Sequence, residues 1–180
     1  PRIGQACQLP WSVVHLLVTG GAGFIGSNFT RWWLDHHAGD RVVALDALTY
    51  AGNPANLDGI TGDVDLVVGD IGDTALVEQL LRDRAIDVVV NFAAESHNRL
   101  AIIDPRRFFQ TNVMGTLGLL EACRLVGVAR LHHISTCEVY GDLPLDAETA
   151  FTEASPYNPL APYNASKAGG DHAARAYHHA

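Results

Sequence analysis

The sequence predicts an α/β chain built on a doubly wound parallel sheet. Three observations predict it. Short runs rich in Val, Leu and Ile alternate with longer stretches whose apolar residues recur at helical spacing. The short runs are apolar on both faces, as strands buried between two layers of helices must be. A glycine-rich turn follows directly on the first run, where right-handed crossovers in such a sheet bring ligands to the strand ends.

The elements follow in order. Val13–Gly20 (VVHLLVTG) reads as the first strand and Phe24–His37 as the helix after it. Arg41–Asp46 (RVVALD) is the second strand. The polar stretch from Thr49 to Asp63, with its Gly and Pro, is a loop with room for one helical turn. Val64–Asp70 is the third strand, Asp73–Arg84 a helix, and Ile86–Ala94 the fourth strand. Pro105–Val126 reads as one long helix, with Phe108, Phe109, Val113, Leu117, Leu120 and Cys123 near helical spacing. Arg130–Ser135 is the fifth strand, residues 141–162 a loop, and Pro162–His179 the last helix. That helix carries no Gly or Asn stop signal, so the chain is expected to be truncated before a C-terminal substrate-binding part. The domain is expected over residues 13–180, with residues 1–12 an N-terminal extension that lacks the layout of a secretory signal.

Composition narrows the chemistry. A length of 180 residues suits one domain, and 48% hydrophobic residues argue against disorder. A net charge of −8 argues against a nucleic-acid partner, which needs a basic face. It leaves room for a small anion held by backbone N–H groups. The three cysteines, Cys7, Cys123 and Cys137, do not have the spacing of a disulfide framework, which points to a reducing, cytoplasmic setting. No apolar run reaches the roughly 18 residues of a membrane span.

Gly20, Gly23 and Gly26 stand between the first strand and the first helix. Glycines there allow a tight turn and close backbone approach to a pyrophosphate, which the helix N-terminus attracts. Asp46 ends the second strand twenty residues after Gly26. Its carboxylate can accept from both hydroxyls of an adenosine ribose and repels a 2′-phosphate, which favours NAD over NADP. Asp70 either reaches the adenine or caps the following helix, and Ile71 can pack on the base.

Tyr163 and Lys167 stand four apart and share one helix face. A phenol, with a reference pKa of about 10, becomes a base near neutral pH when an ammonium favours the phenolate. At the exit of the fifth strand Thr136 can bond a substrate hydroxyl or carbonyl, and Glu138 can take a proton. His132 and His133 alternate to opposite faces, so no metal site is expected. His97 is placed near nicotinamide or substrate, and Asn112 reads as a residue that ties its helix to a strand.

On these residues the chain resembles the extended short-chain dehydrogenases/reductases, and within them the dTDP-glucose 4,6-dehydratases. The stretches VTGGAGFIGSNF, LDALTYAGN, GDI, NFAAESH, TNVMGTLGLLEA, HHISTCEVYGDL, FTEASPYNPLAPYNASKAGGDH and RAYH carry the likeness. The resemblance implies a Rossmann-type fold and an NAD cofactor. It adds Phe24, Ile25, Leu48, Thr49, Phe92, Ala93, Ala94, Ser96, Thr111, Ser135, Tyr163 and Lys167 as cofactor contacts. Ser96, Thr136 and Glu138 become substrate contacts.

It also implies a cycle. Tyr163, with Lys167 and Thr136, takes the proton of the sugar 4-hydroxyl while NAD takes the C4 hydride. Glu138 then removes the C5 proton, an acid protonates the departing C6 hydroxyl, and the hydride returns to C6. The family's acid is an Asp, and Cys137 stands in its place, either as a proton donor or as a packed small residue. Asn98, Arg99, Leu100 and Ala101 depart from the family's Val-Asp-Arg-Ser. Members run on for roughly 150 more residues, a further domain's worth, and pair as homodimers through two helices, here Pro105–Val126 and Pro162–His179. Two other readings stand beside this one: an epimerase or oxidase of nucleotide sugars, which needs no C5 base, and a weakened NAD-binding module with a regulatory role.

Overall fold

The structure, a computed structural model, describes residues 13–179. The extension expected over residues 1–12, with Cys7, lies outside the described residues. Five parallel strands, β1 (His15–Thr19), β2 (Arg41–Asp46), β3 (Asp63–Val68), β4 (Val88–Asn91) and β5 (Arg130–His133), lie in the order β3-β2-β1-β4-β5. This is the doubly wound, Rossmann-type sheet expected, with β1 at its centre. Leu17 pairs in register with Val43 on one side and Val89 on the other.

Alternation along the strands supplies two cores. Leu17, Val43, Leu45 and Val89 face one layer, where Val77, Leu80 and Leu81 of α2 (Thr74–Asp83) meet Leu119, Ala122 and Cys123. Leu16, Val18, Val42, Val88 and Val90 face the other layer, against Leu34 of α1 (Phe24–His36). Leu16, Leu17 and Val18 are 0% exposed, and burying each such side chain is worth about 1.5–3 kcal/mol. The loop after β2 holds one short 3₁₀ turn, Pro54–Leu57, capped by the Asn53 side chain.

Three expectations need correction. The helix expected over Pro105–Val126 is broken into α4 (Pro105–Phe109), a wider π turn at Gln110–Gly115, and α5 (Thr116–Val126). A short α3 (Asn98–Ile103), which apolar spacing alone does not reveal, precedes it. The wide turn falls at buried Asn112. Its side chain bonds outside the helix, to the Glu95 backbone and to Ser166, and its carbonyl crowds Gly170 of α6 (Pro162–His179). Such single wide turns gather where a helix serves a site. Strand β5 stops at His133, two residues short of Ser135, although Ile134 N–H still donates to Asn91 O at 3.2 Å. Strand β3 stops at Val68, so Asp70 lies in the turn beyond it.

Candidate functional site

The glycine turn closes over the end of β1. Gly20 has φ of 64°, and a Cβ there would lie 2.8 Å from Ala93 N. A Cβ on Gly26 would lie inside contact distance of the Gly20 carbonyl. Only glycine lets the chain turn this tightly and start α1 here. Gly23 takes the position before α1 and supplies no side-chain cap, so the first N–H groups of the helix stay free for an anion.

Asp46 is 8% exposed. Its two carboxylate oxygens accept from Ala22 N–H at 3.0 Å and from Leu48 N–H at 2.8 Å. Each oxygen keeps a lone pair for a ligand. Leu48 therefore acts through its backbone, at φ of 48°, and is the one expected cofactor contact that does not line the cavity. Asp70 accepts from Gly72 N–H at 2.7 Å, while Asp73 caps α2 through Leu76 N–H. Of its two readings, capping therefore falls to another residue, and Asp70 stays beside the cavity.

That cavity, of about 450 Å³, runs from the glycine turn along the ends of β2 and β4 to α6. Gly20, Gly23, Phe24, Ile25, Gly26, Asp46, Thr49, Asp70 and Ile71 line one part. Phe92, Ala93, Ala94, Ser96, Thr111, Ser135, Tyr163 and Lys167 line the rest. Its volume lies within the roughly 300–1,000 Å³ of small-molecule sites. Ala47, Ala51, Gly52, Gly69, Glu95 and Ile134 also line it and were not expected. His97 does not line it, and takes the position before α3 instead.

Helix α6 grips the exit of β5 on three successive turns. Tyr163 faces Thr136, whose hydroxyl favours the phenolate. Lys167 Nζ donates to Ile134 O at 2.6 Å. Asp171 accepts from the Ser135 hydroxyl, and from Tyr157 OH at 3.0 Å. The spacing i, i+4, i+8 puts all three on one helix face. Asp171 also faces His133 Nε2 at 3.3 Å, so His133 points inward while His132 is exposed. Asn112 ties its helix to Glu95 N–H and C=O at 2.9 Å each, the tie read from the sequence.

The electrostatics depart from one expectation. Burial pushes the Tyr163 phenol above its usual value. The neighbouring Thr136 hydroxyl opposes this, and Glu138, Cys137 and Asp171 add to it. Lys167, 5% exposed, is pulled below its usual value by burial, with the Asp171 carboxylate opposing. Its ammonium is spent on a backbone carbonyl, so desolvation outweighs the lowering of Tyr163 that the four-residue spacing suggested.

Thr136, Cys137 and Glu138 sit at the cavity's edge rather than in its lining. Thr136 caps the 3₁₀ turn Cys137–Tyr140 by accepting from Glu138 N–H at 3.3 Å. Glu138 accepts from Asn98 Nδ2 at 3.3 Å, and Cys137 is exposed. The arrangement collects a phenol, a hydroxyl, a thiol and a carboxylate beside an apolar-walled cleft. Asp171, Tyr157 and Glu95 were missed because their partners lie 12 to 38 residues away, with no local pattern to mark them.

The family model for GDP-mannose 4,6 dehydratase matches residues 17–180. A dTDP-glucose 4,6-dehydratase of Mycobacterium tuberculosis (strain H37Rv) is 54% identical over 164 residues, covering 91% of this chain and 49% of that protein. The dTDP-glucose 4,6-dehydratase of Xanthomonas campestris pv. campestris (strain B100) is 53% identical, with 91% and 48% covered. The chain thus spans about half the length of the curated relatives it matches. Among solved structures, DesIV, a dTDP-glucose 4,6-dehydratase from Streptomyces venezuelae with NAD and TYD bound, superposes with a TM-score of 0.86 at 47% identity, covering 92% of this chain and 52% of that one. A UDP-glucose 4-epimerase of Thermus thermophilus, in complex with NAD, superposes at 0.82 and 35% identity, covering 92% and 51%.

Proposed function

This chain belongs to the GDP-mannose 4,6 dehydratase family, and we propose that it forms the cofactor-holding part of an NAD-dependent lyase converting dTDP-glucose to dTDP-4-keto-6-deoxyglucose. The observation that carries this reading is one cavity that begins at the glycine turn and ends on Tyr163 and Lys167, with Thr136 beside the Tyr163 phenol. The high identity to dTDP-glucose 4,6-dehydratases supports the choice of sugar nucleotide.

The residues present fit NAD. The crowded positions of Gly20 and Gly26 leave space only for backbone, and the N-terminus of α1 offers N–H donors to a pyrophosphate. Asp46, at the end of β2, would hold the adenosine ribose; Tyr163 and Lys167, at the far wall, would hold the nicotinamide ribose. NAD, when bound, supplies a hydride acceptor that can give the hydride back. The chain does the rest. Tyr163 removes the proton of the sugar 4-hydroxyl, and Thr136 orients that oxygen. The 4-keto group that results acidifies the C5 proton, which Glu138 takes. Cys137 stands where a proton is needed for the departing C6 hydroxyl.

Glu138 separates this reading from the epimerase one, since epimerisation at C4 calls for no base at C5. Its charge already bears on Tyr163, and Asn98 holds its carboxylate. Isothermal titration is expected to give NAD a Kd at least about 100-fold below that of NADP, close to 2.8 kcal/mol, because a 2′-phosphate would press on the buried Asp46 carboxylate. Equal affinities would remove the role given to Asp46.

A homodimer through Pro105–Val126 and Pro162–His179 belongs to the same proposal. Phe109 (42% exposed) and Met114 (51%) stand out of the first helical run, next to Ile102 (72%) and Ile103 (71%) of α3. Helix α6 packs on that run, with Gly169 against Val113. Light scattering is expected to report twice the chain mass, and Met114→Glu to shift it toward the monomer; a monomer at high concentration without substitution would contradict the pairing. No helix among the described residues is long and apolar enough to cross a membrane. Cys123 and Cys137, free thiols among the described residues, support a cytoplasmic setting.

A further inference from the structure

Strands β2 and β4 flank β1, so the segments leaving them stand on opposite sides of the glycine turn. Tyr50, on the segment after β2, reaches the other side. The Arg107 guanidinium lies over its ring at 5.3 Å from the centroid. Burial first, and then the charge of the Glu95 carboxylate, push the Tyr50 phenol up.

The far anchor is rigid. Arg107 donates from Nε at 2.7 Å and from Nη2 at 2.6 Å to Glu95 Oε1. Glu95 is 4% exposed, and its backbone N–H and C=O are both held by Asn112. The near anchor is lighter. Tyr50 is 53% exposed, and its neighbours Thr49, Ala51 and Gly52 line the cavity directly. Beyond them, Asn53 N–H donates to Ala22 O at 3.0 Å, fixing the base of the segment to the glycine turn.

We propose that Tyr50, Glu95 and Arg107 form a strap across the cofactor cavity that slows exchange of NAD, an inference that rests on the cavity being a dinucleotide site. The contact joins chain segments that line the cavity after β2 (Thr49, Ala51) and after β4 (Glu95, Ser96), on either side of the glycine turn that would take the pyrophosphate of a dinucleotide. The strap must swing away for the cofactor to enter or leave. A reaction that takes a hydride and returns it needs no exchange, so a closed strap does not slow turnover. Arg107 and Glu95 act through Tyr50 and are positioning residues.

The test is the release rate of bound reduced NAD, followed by its fluorescence during displacement with excess NAD. Tyr50→Ala and Arg107→Ala are each expected to raise the rate about tenfold. The double variant should add little, since both break one contact. Arg107→Ala leaves a buried carboxylate without its cation and can disturb packing. The half-exposed Tyr50→Ala is therefore the deciding variant, and its melting temperature should match that of the unaltered protein. A release rate within twofold of the unaltered protein would overturn the strap while leaving the cofactor site standing. Failure of the unaltered protein to bind NAD at all would overturn both.

Discussion

Replacing Tyr163 by Phe is expected to lower oxidation at the sugar C4 by about 10²–10⁴-fold, the usual contribution of a placed general base. The substitution removes one oxygen and leaves the ring. That ring would keep its edge-on contact with Phe108, now 6.3 Å between centroids, so the fold should hold. Thr136 still accepts from the Glu138 N–H. Reduction of bound NAD by dTDP-glucose, followed at 340 nm, reads the loss. The pH dependence adds a second signature. In the proposed cycle the base is the phenolate, and burial holds the phenol above its usual value, so kcat/KM, which reports the free protein, should rise with pH across the neutral range. The Phe variant should lose that rise. A variant that keeps more than a third of the rate would take Tyr163 out of the chemistry.

Cys137→Asp is expected to raise formation of the 4-keto-6-deoxy sugar by about tenfold or more, with oxidation at C4 changed less than twofold. A thiol, with a reference pKa near 8.5, holds its proton at neutral pH but donates a weak hydrogen bond. A carboxylic acid donates a stronger one. Glu138 stands next in the chain, and a second negative charge beside it is disfavoured, which keeps an Asp at this position protonated to a higher pH than usual. The exposed Cys137 side chain leaves room for the exchange. Product is measured by the ultraviolet absorbance of the keto sugar in base. Unchanged product formation would show that this position does not deliver the proton to the C6 hydroxyl.

The parts legible in the sequence were those that local pattern controls. β1, β2 and β4 announced themselves because both faces are buried, which forces unbroken apolar runs. The glycine turn, Asp46 and the Tyr163–Lys167 spacing were legible because backbone space and helical repeat dictate them. Tertiary contacts governed what was not. The wide turn at Gln110–Gly115 follows from buried Asn112 bonding across to Glu95 and Ser166, which no helical repeat encodes. Lys167 lies on the expected face, but the direction of its ammonium was settled by the Ile134 carbonyl at the β5 exit. The Leu48 N–H that holds the Asp46 carboxylate is a backbone contact, which residue identity does not mark. Asp171 looked like any helical carboxylate until Ser135, Tyr157 and His133 were seen around it.

On the proposed reading, a single dinucleotide fills the cavity that joins Asp46 on β2 to Tyr163 on α6. Crystals of the protein grown with NAD test it most directly. Density is expected along the glycine turn, with the adenosine ribose hydroxyls on the Asp46 carboxylate and the nicotinamide ribose within hydrogen-bond reach of Tyr163 and Lys167. Density elsewhere on the protein, or a nicotinamide lying away from Tyr163 and Thr136, would contradict it.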